Sequence, residues 1–259
     1  YDGCTPLPVI VAFHGMSANA RLLQRLTELD ETADAHGYIT VYPEGTGIGP
    51  LKGFKSGAST SRFEDRKPDD VLFVHAILDH LEQHVCVDRR RIYATGLSNG
   101  AMLCYRLAVE MPHRIAAIAP VSGGLGTQVG LPCCPISVLH FHGTCDKVLP
   151  FHGPREKGIF QQSYFSVPHT IQMFVDVAGC DTLSQQVAVN AIADDGTSVC
   201  IHTYIASAVG TEVVLVKIVG GGHQWPAHAI PLGYLGRATQ EIDANHMMCC
   251  FFARHVLGE

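Results

Sequence analysis

The chain has 259 residues, 47% of them hydrophobic and 16% charged, with a formal net charge of -6. A chain of this length buries a large core without help from disulfides or metals. So low a charged fraction also excludes a disordered polypeptide. No basic run exceeds Arg89-Arg90-Arg91, which leaves a nucleic-acid surface without an electrostatic basis. No apolar run approaches the ~18 residues that a membrane-crossing helix needs.

A β-branched run at 9–13 predicts the first strand, and His14-Gly15-Met16 follows it directly. Leu22, Leu23, Leu26 and Leu29 make a helical stripe, and a strand is expected at 38–42. Residues 44–67 are polar, Gly-rich and without periodicity, the mark of a functional loop in a compact chain. Gly45-x-Gly47-x-Gly49 within it lacks both a following helix and G-K-[ST], so it does not read as a nucleotide loop. Asp69 can cap a helix whose inward face is Val71, Val74, Ile77, Leu78 and Leu81.

A strand at 91–95 leads into a helix at 99–111, which Pro112 ends. Strands at 115–121 and 136–141 come next, then a helix at 170–177. Asp194-Asp195-Gly196 signals a hairpin between strands at 185–192 and 198–205. A strand at 213–219 and a helix at 240–257 complete the chain. Strands alternating with helices specify the α/β class: a mostly parallel sheet with helices on both faces, here one domain over 1–259.

Ten cysteines are too few for a disulfide scaffold, and no C-x-x-C pair suggests a zinc ribbon. The expected bridge is Cys180 to Cys200, which would staple a polar stretch and leans toward an oxidising compartment. His80 and His84 are spaced i, i+4 on a helix but outside any H-E-x-x-H pattern, so they read as a solvated face and no metal is expected. His140 and His142 flank Phe141 on a central strand and are expected to point apart.

Gly96-Leu97-Ser98-Asn99-Gly100 matches G-x-S-x-G, with a strand leading in and a helix leading out. That context makes Ser98 a candidate nucleophile on a strained turn. A serine hydroxyl needs a base to take its proton and an acid to orient the base. After Ser98, Asp146 is the acid that directly follows an apolar strand, and His223 the histidine that does so, behind Gly220-Gly221-Gly222. An oxyanion hole needs backbone N–H donors. The expected donors are Asn99, immediately after the nucleophile, and Met16, in the loop after the first strand. Trp225, two residues past His223, can pack under the histidine loop or line the substrate pocket.

With these residues on the page the chain resembles a known family. Residues 96–102 (GLSNGAM), 140–146 (HFHGTCD), 220–226 (GGGHQWP) and 240–245 (QEIDAN) look like the secreted polyhydroxybutyrate-depolymerase and feruloyl-esterase branch of the α/β-hydrolases. The resemblance implies Ser98, Asp146 and His223 as a triad and cofactor-free hydrolysis of a carboxylic ester through an acyl-enzyme. The implied substrates are cinnamoyl esters or a polyester. Where the family often carries W-N-x-G, this chain reads Gly53-Phe54-Lys55-Ser56-Gly57, which places Phe54 beside Trp225 as an implied substrate contact. The resemblance also implies a secreted protein. A peptidase or amidase using the same triad and a non-catalytic binding module on the same fold are the competing readings; the oligomeric state is not legible in the sequence.

Overall fold

The computed structural model describes residues 3–49, 51–58, 68–154, 163–180, 185–189 and 194–258. Its frame is an eight-stranded sheet in the order β2-β1-β5-β6-β7-β10-β9-β8. These strands are β1 (Leu7–Phe13), β2 (Ile39–Val41), β5 (Val87–Leu97), β6 (Ala117–Val121), β7 (Ser137–Gly143), β8 (Gln185–Val189), β9 (Ser198–Ala206) and β10 (Thr211–Val219). From β2 to β10 all neighbours are parallel, whereas β9 and β8 pair antiparallel at one edge. The expected α/β architecture, a mostly parallel sheet with helices on both faces, is therefore what the chain adopts.

The apolar runs explain this layering, because side chains alternate across a strand and both faces must be covered. In β1, Val9, Val11 and Phe13 pack on one face with residues of α3 (Asp70–His84), α4 (Asn99–Glu110) and α5 (Val167–Ala178). Ile10 and Ala12 pack on the other with residues of α1 (Ala20–Thr27), α2 (Leu29–Ala35) and α6 (Ala244–Phe252).

The departures from expectation are local. The Leu22–Leu29 stripe is two helices, because Glu28 takes a left-handed conformation (φ 51°) and breaks it. The final helix starts only at Ala244, where the Asp243 side chain accepts the amides of Asn245 and His246 as an N-cap. The Gly-rich loop holds a small hairpin, β3 (Thr46–Ile48) and β4 (Leu51–Gly53), which the sequence reading did not anticipate. A Cβ on Gly47 would lie 2.0 Å from the Leu51 carbonyl oxygen, so that glycine serves hairpin closure. Residues 59–67 of the loop and 190–192 of the expected 185–192 strand lie outside the described residues.

Candidate active site

Ser98 follows β5 and opens α4 with φ 59° and ψ -115°, a strained conformation for a residue with a Cβ. The flanking glycines permit the turn. A Cβ on Gly96 would lie 2.7 Å from Phe13 O, and one on Gly100 only 2.1 Å from it. The elbow is thus pressed against the end of β1, which also brings the next loop close. A Cβ on Gly15 would meet Ser98 Cβ at 3.4 Å. Ser98 is half-buried, and the Met16 and Asn99 amides, one on the adjacent loop and one at the start of α4, are not spent on hydrogen bonds within the described residues.

Asp146 and His223 come together as expected. His223 Nδ1 lies 2.7 Å from Asp146 Oδ2, and both residues are buried. A carboxylate only accepts, so Nδ1 carries the hydrogen, and in the neutral ring Nε2 then holds the lone pair. Asp146 Oδ1 meanwhile accepts the amides of Val148 and Leu149, each at 2.8 Å. The two loops are stitched to each other: Cys145 N donates to Gly221 O at 2.8 Å, and Gly220 N donates to Thr144 Oγ1 at 3.0 Å. A Cβ on Gly222 would sit 2.0 Å from Leu235 O, so the glycine run is what lets the imidazole approach. Ser98, Asp146 and His223 all follow the C-terminal ends of parallel strands, β5, β7 and β10, at one edge of the sheet. Among the described residues the structure draws no hydrogen bond from the Ser98 hydroxyl to His223.

Four residues that the sequence reading gave no part in the site support this arrangement. His14 Nδ1 donates to the Gly15 carbonyl at 2.8 Å, and its Nε2 accepts the Gly45 amide at 2.9 Å. It thereby ties the loop bearing Met16 to the β3–β4 hairpin in a neutral form, and burial pushes its pKa down. Behind Asp146 runs a buried chain. Tyr105 OH is 2.8 Å from His140 Nδ1, His140 Nε2 is 3.2 Å from His142 Nδ1, and His142 Nε2 is 2.8 Å from the Leu149 carbonyl. The carbonyl can only accept, so each proton is fixed in turn: His142 donates to Leu149, His140 to His142, and Tyr105 to His140. His142 Nε2 is also 3.4 Å from Asp146 Oδ2. Burial lowers the pKa of both histidines, against an upward pull from Asp146 on His142. His140 and His142 share a face, correcting the expectation that they point apart: a strand alternates with period two, so i and i+2 coincide. The signal was therefore present in the spacing.

Two further expectations fail. Phe54 and Trp225 are fully buried, so neither presents surface to a substrate; for Trp225 the packing alternative is the one that holds. Phe54 packs edge-on against Phe13, with its amide and carbonyl both held by the Asn99 side chain at 2.7 and 3.0 Å. Trp225 lies in the core on the α6 side, with Nε1 donating to Asn245 Oδ1 at 2.9 Å. The Cys180–Cys200 bridge is not formed. Cys180 packs against the core beyond the end of α5, whereas Cys200 Sγ turns to His202 Nε2 at 3.3 Å. A cavity of about 300 Å³ lies between α5 and β9–β10, lined by Phe151, Ile171, His202, Tyr204 and Lys217 among others; no triad residue lines it.

Residues 51–174 match the family model described as Phospholipase/Carboxylesterase. The "Putative esterase NocK" of Nocardia uniformis subsp. tsuyamanensis is 31% identical over 237 residues, 86% of this chain and 67% of that protein. The chain belongs to the phospholipase/carboxylesterase family of α/β-hydrolases. Feruloyl esterase C of Emericella nidulans is 38% identical over 85 residues, 33% of this esterase and 32% of that protein, so the match spans about a third of each. Among solved structures, an acetyl xylan esterase from Aspergillus awamori superposes with a TM-score of 0.62 at 12% identity, covering 98% of this chain and 91% of that one. At that identity the likeness is one of fold. No described helix is long and apolar enough to cross a membrane.

Proposed function

We propose that this esterase is a serine carboxylic-ester hydrolase working through an acyl-enzyme, with Ser98 as nucleophile, His223 as general base and Asp146 as its orienting acid. The observation that carries the reading is the 2.7 Å His223–Asp146 contact at the strand-end edge that also holds the strained Ser98. Lone-pair electrons on His223 Nε2 take the serine proton as Oγ attacks the ester carbonyl. The amides of Met16 and Asn99 receive the negative charge that develops on the carbonyl oxygen. Collapse of that intermediate expels the alcohol, protonated by His223, and water then repeats the cycle on the acyl-serine. No cofactor enters this chemistry.

For the substrate, the feruloyl esterase relative favours cinnamoyl esters of plant cell-wall sugars over a polyester. A polymeric substrate of that kind lies outside the cell, which favours a secreted enzyme. The test compares methyl ferulate, short p-nitrophenyl esters and polyhydroxybutyrate for wild type and Ser98→Ala. A folded Ser98→Ala variant is expected to lose on the order of 10⁴-fold or more in kcat on whichever ester is turned over. Unchanged turnover in that variant rules out the assignment of the nucleophile, while polyester turnover without ferulate turnover rules out only the substrate.

A further inference from the structure

A second cluster of chemistry-bearing side chains lies where α2 meets α6. His36 closes α2, while His246 and Cys250 stand one turn apart on α6. A ring nitrogen of each histidine and Cys250 Sγ all lie within 4.8 Å of one another, at the surface. We propose that these three side chains form a divalent zinc site that clips α2 to the C-terminal helix.

The geometry is close to what zinc requires. Tetrahedral Zn²⁺ with bonds of about 2.0–2.3 Å puts its nitrogen and sulfur ligands about 3.5 Å apart. His246 Nε2 and Cys250 Sγ are already 3.5 Å apart. The remaining separations close by an ångström or so of rotation in exposed side chains. His36 Nδ1 donates to the Thr32 carbonyl at 2.9 Å, which fixes its tautomer and leaves Nε2 with a lone pair. Two imidazoles and a thiolate suit zinc rather than calcium or magnesium, which take oxygen ligands. Binding converts the Cys250 thiol to a zinc thiolate and releases one proton to solvent, and water completes the fourth position. No residue of the proposed triad takes part, so the site bears on how α6 packs against α2 and not on ester hydrolysis. Its consequence is local, because α6 carries Asn245, which holds both Trp225 and the Thr27 carbonyl at the end of α1.

The experiment uses the full chain, reduced and stripped with a chelator, then titrated with Zn²⁺ alone against a chromophoric competitor. In parallel it is titrated with Co²⁺, whose thiolate charge-transfer absorption reports a sulfur ligand. The expected result is one tightly held zinc per chain, a cobalt–thiolate band, and a rise in Tm of roughly 5–10 °C at a hundredfold excess of zinc over Kd. Cys250→Ser should abolish the band, and His36→Ala or His246→Ala should weaken zinc roughly 100-fold or more, with ester turnover unchanged in all three. A Cys133→Ser/Cys134→Ser double variant should bind as wild type does. Equal zinc binding by wild type and Cys250→Ser, or a band that survives in Cys250→Ser and vanishes in the Cys133/Cys134 variant, overturns the site.

Discussion

Replacing Trp225 separates packing from substrate contact. The ring is fully buried in the core between the sheet and α6, and its N–H is used by Asn245. Trp225→Ala removes the largest side chain in that layer and should cost ~3–5 kcal/mol. Trp225→Phe keeps an aromatic ring but strands Asn245 Oδ1, a buried acceptor, at a cost of about 1–3 kcal/mol. For a chain of this size each kcal/mol moves Tm by about 2–4 °C, giving falls of roughly 6–20 °C for alanine and 2–12 °C for phenylalanine. The assay pairs calorimetry with kcat/KM on methyl ferulate and p-nitrophenyl acetate, measured well below each Tm. A packing residue leaves the ratio of the two esters within about twofold of wild type, since it touches neither. An unchanged Tm with a selective loss on the ferulate would refute the packing argument and return Trp225 to the substrate pocket.

Asp146→Asn keeps the shape of the loop but sets an amide against His223 Nδ1, favouring the tautomer whose hydrogen sits on Nε2. A fall in kcat approaching 10⁴-fold with little change in KM is expected, and kcat within tenfold of wild type would dismiss Asp146 as the orienting acid. Acid should destabilise the fold through its buried histidines. Burial holds His14, His140 and His142 below the ordinary value of 6.5, so the unfolded chain takes up protons first as pH falls through that value. Each fully depressed group then withdraws up to ~1.4 kcal/mol per pH unit below ~6.5. Urea unfolding between pH 7.5 and 5 should show this slope, with His140→Gln shallower by about one such increment; parallel slopes for the two proteins would exclude His140 as a source.

What could be read from the sequence follows from how far apart the interacting groups lie. The elbow was legible because its constraint is local: Gly96 and Gly100 must both clear Phe13 O, and strand, serine and helix are contiguous. Asp146 and His223 were legible for a related reason, since in parallel sheets chemistry gathers at the ends of strands and both follow one. The supporting groups were not, because each depends on a neighbour set by tertiary packing. Tyr105 reaches His140 only because α4 packs over β5 and β6, beside β7, and His14 meets Gly45 only because of a hairpin the sequence did not announce. The buried aromatics misled in the same way: neither nearness in sequence to His223, for Trp225, nor a place in the family's loop pattern, for Phe54, says which side of the sheet a ring faces. Phe54 and Trp225 turn inward to opposite core layers, and each is locked there by an asparagine, Asn99 in one case and Asn245 in the other. Asn99 thus stands in two roles at once. Its amide is the proposed donor to the oxyanion, while its side chain holds the Phe54 backbone at both hydrogen-bonding groups. The loop beside the elbow is therefore fastened to the residue that follows the nucleophile. The Gly15–Ser98 approach and the amides proposed to meet the developing charge are thus held by the same local packing, which comes from the core and not from the proposed triad.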